Sequence, residues 1–183
     1  MSSKLWLVRH AQPLVAQGVC YGATDVAAHA QATWEAAQAL SKQLPRGITV
    51  LSSPLQRCSQ LAGTLLELRP DLPFSHDARL VEFDFGLWEG QRWDEIPQPA
   101  WDDWTADFGN HRFGGKDSVN AILARVGAAW DAWRATGQDA VWITHAGVVR
   151  AVTLLADGRR TVDKASDWPS KPLPFGEWRV LEV

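Results

Sequence analysis

Two stretches decide how this chain folds: Leu5-Trp6-Leu7-Val8-Arg9-His10 near its start and Val141-Trp142-Ile143-Thr144-His145 near its end. Each is a short run of branched or aromatic apolar residues, the composition of a buried strand, and each stops on a histidine. In an open α/β sheet the residue after a strand lands in the crevice at the strands' carboxyl ends. The two imidazoles can therefore converge there with Arg9 beside them, a corner suited to an anion.

Working outward, Lys4 to Val8 reads as the first strand, and a loop from Gln12 to Asp25 follows, broken by Pro13, Gly18 and Gly22. Trp34, Ala37, Leu40 and Leu44 recur at helical spacing, and this predicts an amphipathic helix ending before Pro45. Ile48 to Leu51 is the next strand. Ser52-Ser53-Pro54 then reads as a serine cap with an early proline, opening a helix that turns Cys58, Leu61, Ala62, Leu65 and Leu68 inward. From Asp77 to Gly115 no clean period is visible, four tryptophans appear, and Pro97, Pro99 and Gly109 interrupt; an irregular insertion of this length reads as a cap or lid. Asp117 or Ser118 caps a long helix whose inner side is Val119, Ile122, Leu123, Val126, Trp130 and Trp133. Ala140 to Thr144 is the strand that delivers His145, Val148 to Leu155 reads as a helix, and Glu177 to Val183 reads as an edge strand.

Strands alternating with helices predict an α/β fold, a three-layer sandwich with a mostly parallel central sheet and helices on both faces. The expected organisation is one domain over residues 1–183 with an irregular cap insertion at about 77–115.

Composition narrows the function classes. With 46% hydrophobic and 21% charged residues the chain reads as globular, and a net charge of −3 argues against nucleic acid as a partner. Cys20 and Cys58 are too few for a disulfide framework, which fits a reducing compartment. The first residues contain only four consecutive apolar positions before Arg9, so neither a signal peptide nor a membrane partner is expected, and the expected location is cytoplasmic. Eleven tryptophans against one tyrosine are read mainly as packing. No His-x-x-x-His or His-x-His spacing occurs, which weighs against a metal hydrolase.

Three strand-to-turn junctions carry polar residues: Arg9-His10-Ala11, Ser52-Ser53-Pro54-Leu55-Gln56-Arg57 and Thr144-His145-Ala146-Gly147. Free backbone N–H groups at such junctions favour a phosphate. Together with Leu80-Val81-Glu82-Phe83-Asp84-Phe85-Gly86-Leu87-Trp88-Glu89-Gly90, these segments resemble, in order, the R-H-G, S-S-P-x-x-R, T-H-G-G and L-x-E-x-x-x-G-x-x-E-G signatures of the histidine phosphatase superfamily, which includes cofactor-dependent phosphoglycerate mutases and small phosphatases.

That resemblance implies that His10 is the nucleophile, Glu82 the proton donor, and Arg9, Arg57 and His145 the phosphate-binding groups. It implies a small-molecule phosphate ester as substrate, and neither cofactor nor metal. Asp84 and Glu89 compete with Glu82 for the acid role, while Arg150 reads as a salt-bridge or framework residue. The chain departs from the family's R-H-G-x-T-x-x-N at Ala11, Pro13 and Ala16, removing side-chain donors that Gln12 or Thr24 could replace. Gly18-Val19-Cys20-Tyr21-Gly22-Ala23-Thr24-Asp25 resembles the G-x-C-Y-G-x-T-D loop of α-ribazole phosphatases from cobalamin biosynthesis, as does Glu82 to Gly90. On that likeness Gln12, Tyr21 and Gly22 are the candidate substrate-binding residues. A broad-specificity phosphatase and a non-catalytic phosphate-binding module are the alternatives.

Overall fold

The computed structural model describes residues 2–183. Strands β1 (Lys4–Arg9), β2 (Thr49–Ser52), β3 (Phe74–His76), β4 (Ala140–Thr144) and β5 (Trp178–Glu182) form one sheet in the spatial order β3-β2-β4-β1-β5. β5 lies antiparallel along β1 at one edge, and the other pairings are parallel. The helices are α1 (Ala30–Ser41), α2 (Gln56–Leu68), α3 (Gln98–Ala106), α4 (Val119–Thr136) and α5 (Ala146–Ala156).

Alternation along the central strands builds the layers. Trp6, Val8, Val141 and Ile143 point to one face and pack with Ala37 and Leu40 of α1 and Leu61 and Leu65 of α2. Leu5, Leu7 and Trp142 point to the other and pack with α4 and α5. Each fully buried leucine or isoleucine contributes roughly 1.5–3 kcal/mol by leaving water, so this double-sided burial holds the sheet centre rigid. No described helix is long and apolar enough to cross a membrane.

Local chemistry shifted several expected boundaries. The buried stripe of α1 is Thr33, Ala36, Ala37 and Leu40, whereas Trp34 lies on the flank and is 39% exposed. Thr33 can face inward because its hydroxyl donates to His29 O at 2.9 Å, a local bond that hydropathy does not register. The expected serine cap is absent: α2 begins at Gln56, whose N–H donates to Asp25 Oδ1 at 2.7 Å, while Ser52 stays in β2. Ser118, not Asp117, caps α4, accepting from Ala121 N. α5 starts two residues earlier than expected, directly behind His145.

Residues 77–115 hold three single-turn 3-10 helices and α3, around an aromatic centre. Phe113, 2% exposed, sits 4.4 Å from Trp104, 5.0 Å from Trp101 and 5.9 Å from Trp88 between ring centroids. Packing about one side chain imposes neither a 3.6 nor a 2.0 residue repeat, which is why the segment shows no period.

Candidate active site

Parallel register brings the strand ends together. Arg9 of β1 pairs with Thr144 of β4, and His10 N donates to Thr144 O at 3.1 Å. Ser53, just past β2, donates its N–H to Ile143 O at 2.9 Å. The rings of His10 and His145 consequently face each other edge to face, 5.2 Å apart between centroids.

His10 is 2% exposed, and its Nδ1 lies 2.7 Å from Ala11 O. A carbonyl oxygen only accepts, so Nδ1 carries the proton and Nε2 keeps a free lone pair. Burial, reinforced by the charges of Arg57 and Arg9, pushes the His10 pKa down to about 3, so the imidazole is neutral at ordinary pH. His145 is fully buried, and its Nε2 lies 2.8 Å from Ser53 Oγ and 3.5 Å from Cys58 Sγ. Burial and the positive surroundings hold it well below the usual histidine range. Burial raises both Cys20 and Cys58, which keeps these free thiols protonated.

Arg57 leaves the first turn of α2 fully buried and donates to Gly22 O at 2.6 Å and Thr24 O at 2.8 Å. Arg9 donates to Leu173 O at 2.7 Å, and its guanidinium carbon lies 3.7 Å from the centre of the Phe175 ring. Carbonyls and an aromatic face orient both cations without neutralising them, which leaves their charge for a ligand.

The three acidic candidates separate clearly. Glu82 reaches the start of α5, where its Oε2 accepts from Gly147 N at 3.0 Å. A Cβ on Gly147 would fall 2.2 Å from Glu82 Oε1, so glycine there is what admits the carboxylate. Glu89 instead accepts from the backbone N–H groups of Gly22, Ala23, Thr24 and Phe85, tying the 22–24 loop in place. Asp84 accepts from Gly86 N at 2.8 Å and faces its own turn. The irregular stretch carrying Glu82 is stapled to α4 by Arg125, which donates to Arg79 O at 2.9 Å, Val81 O at 2.7 Å and Glu82 O at 3.4 Å. Asp117 completes the staple by accepting from Asp84 N at 3.0 Å.

A cavity of about 410 Å³ opens over this corner, lined by Arg9, His10, Tyr21, Arg57, Glu82 and Gly147 on one side and by Phe83, Phe85, Trp93, Trp104, Phe108 and Trp168 on the other. Of the expected site residues, Gln12, Gly22 and His145 do not line it. Gln12 is exposed in a neighbouring depression that shares Tyr21 and Trp93 with the cavity, because the chain after Ala11 turns away from the crevice. Gly22 works from behind, packed against Phe83 O and accepting from Arg57. His145 lies behind His10. Thr24 does not supply a replacement donor to the cavity either, since its hydroxyl binds Glu89.

Sequence reasoning missed three contributors. Ser53 orients His145, and its signal was its place in the 52–57 segment, which named no role for it. Leu173 and Phe175 hold Arg9 from a segment with no period or motif. Of the salt-bridge or framework role expected for Arg150, no ion pair forms: it donates to the backbone Ser170 O at 3.1 Å and also lines the cavity. Among the described residues, no three His, Cys, Asp or Glu side chains form a group able to hold a metal ion.

Residues 5–169 match the family model of the histidine phosphatase superfamily (branch 1). No curated protein matches the chain in sequence. Among solved structures, the native mycobacterial glucosyl-3-phosphoglycerate phosphatase superposes with a TM-score of 0.84 at 21% identity, covering 100% of this chain and 91% of its own. Its complex with inorganic phosphate superposes at 0.80, with 21% identity over 97% and 88%. The protein TTHB049 from Thermus thermophilus gives 0.73 at 29% identity, over 97% and 92%. The mycobacterial likeness is one of fold.

Proposed function

The chain belongs to the histidine phosphatase superfamily and is a phosphoric monoester hydrolase, and from that premise we propose that it works through a phosphohistidine on His10. In the first step His10 Nε2 attacks phosphorus, the ester P–O bond breaks, and the carboxylic acid of Glu82 gives its proton to the departing alkoxide. In the second, water attacks phosphorus, the P–N bond breaks, and the Glu82 carboxylate takes the water's proton. Arg9 and Arg57 hold the phosphoryl oxygens through both steps, where charge spreads over them, and His145, which does not line the cavity, backs the His10 ring from behind.

The observation that carries this reading is the bond from His10 Nδ1 to Ala11 O in a buried, cationic corner, which leaves Nε2 as an unprotonated nucleophile. The finer reading is hydrolysis of α-ribazole 5′-phosphate, supported by the segments Gly18 to Asp25 and Glu82 to Gly90 and by a wall of flat rings able to stack on a benzimidazole. Residues 77–115 act as a cap over a single domain, and the two free thiols fit a reducing, cytoplasmic setting. The same wall also favours a second reading, a broad-specificity phosphatase, since apolar contact discriminates weakly between leaving groups.

Two measurements test the proposal. Radiolabelled substrate should leave an acid-labile, alkali-stable label on the protein that His10→Ala abolishes; a label that survives this substitution rules out the His10 intermediate. In a substrate panel, α-ribazole 5′-phosphate should be hydrolysed with a much higher kcat/KM than sugar phosphates, and equal rates would leave only the broad-specificity reading.

A further inference from the structure

Three arginines line the cavity, and all the ion pairs among the described residues are made elsewhere. Arg9 and Arg57 flank His10 and serve the phosphoryl group. Arg150 has no such task. It projects from α5 close to one turn beyond Gly147, lines the cavity, and makes a single hydrogen bond, from Nη2 to Ser170 O at 3.1 Å. Its Nε is buried without a partner.

Arg150 is half-buried, and a buried N–H without a partner, such as its Nε, costs stability because its lost hydration is not replaced. Burial lowers the Arg150 pKa, opposed only by the charge of Glu82. Glu82 is the one carboxylate lining the same space and makes no ion pair with Arg150; the wall is otherwise mainly rings, Phe83, Phe85, Trp104, Phe108 and Trp168. A cavity of about 410 Å³ also leaves room beyond a phosphoryl group for a sizeable leaving group. Beyond the bond to Ser170 O, its other N–H groups have no protein acceptor, and the position left for one is on the substrate.

We propose that Arg150 is a leaving-group anchor, selecting phosphate esters whose leaving group is a flat ring bearing an acceptor, most favourably a carboxylate and otherwise a ring nitrogen such as that of a benzimidazole. The ring lies against the aromatic wall and the free donors of the guanidinium close on the acceptor. A leaving group without an acceptor covers those donors without bonding them, so selectivity comes from rejecting it. This inference rests on the phosphatase reading and not on any one natural substrate.

The test compares phenyl phosphate with 3-carboxyphenyl and 4-carboxyphenyl phosphate, esters whose phenol leaving groups are of near-equal basicity, in the wild-type protein, Arg150→Met and Arg150→Lys. The expected result is a wild-type kcat/KM at least about tenfold higher for one carboxylated isomer than for phenyl phosphate, expressed mainly in KM. That ratio should collapse toward one in Arg150→Met and recover partly in Arg150→Lys. α-Ribazole 5′-phosphate, run alongside, should lose more in Arg150→Met than phenyl phosphate does if a ring nitrogen is the natural acceptor. A wild-type ratio near one for both isomers overturns the anchor without any variant being needed. So does a ratio that Arg150→Met leaves intact, since a purely structural arginine would lower both esters alike. No turnover of any ester would overturn the phosphatase reading, and the anchor with it.

Discussion

On the sheet side of the cavity, His10 with Ser53 and His145 behind it follow three adjacent parallel strands, and backbone bonds of 2.9 and 3.1 Å set their spacing. On the other side, Phe83, Phe85, Trp93 and Trp104 come from a segment without strands, gathered around Phe113 by ring contacts. A β ladder admits one register, because a one-residue slip turns every side chain to the opposite face. Ring packing is less directional and can be rebuilt with different side chains. Reaction chemistry that tolerates little misplacement therefore belongs to the first side, and choice among leaving groups to the second. Glu82 is the exception, a reacting group on the irregular side, and Arg125 and Asp117 give it the rigidity that its own segment lacks.

The largest effect expected from breaking this division is at Arg57. Arg57→Ala should lower kcat by about 10²–10³-fold, as removal of one preorganised donor does, with the circular dichroism spectrum retained. A loss below about fivefold in a folded variant would mean that the corner is not where charge develops. A smaller and more selective effect is expected at the staple. Arg125→Met should cost about tenfold on an alkyl phosphate, where Glu82 must deliver a proton accurately, and much less on p-nitrophenyl phosphate, whose leaving group departs unprotonated. Equal losses on the two substrates would assign Arg125 to general support of the fold.

Acid should act on the corner and spare the wall. His10 is held at about 3 in the folded protein against about 6.5 unfolded, so between these values the unfolded chain binds more protons and stability falls as pH drops. At pH 5 His10 alone should cost about 2 kcal/mol relative to pH 7, and His145 shifts in the same direction. Urea unfolding at the two pH values measures the loss, and His10→Gln should shrink it; an unchanged difference would show that His10 is not buried in its neutral form.

Much of this arrangement was legible in the residues. Strand β4 and the inner side of α4 follow from period alone, since both elements are buried along whole faces and hydropathy reports burial directly. β3, only three residues long and with two of them exposed, carried no such signal. Thr33 and Trp34 exchanged their expected places because a threonine whose hydroxyl is satisfied locally can be buried, whereas hydropathy ranks the indole ahead of it. The motifs brought Arg9, His10, Arg57 and Glu82 to one cavity, yet the separate duties of Glu82, Asp84 and Glu89 depended on which backbone N–H groups each could reach.

By itself the sequence determined the layered α/β sheet and the strand-end histidines, because alternation and strand termini are local properties of neighbouring residues. Only the tertiary structure decided that Gln12 turns away, that Ser53 orients His145, and that Arg150 faces the cavity without an ion pair. Those outcomes depend on contacts between segments distant along the chain, whose distances and partners no local pattern encodes.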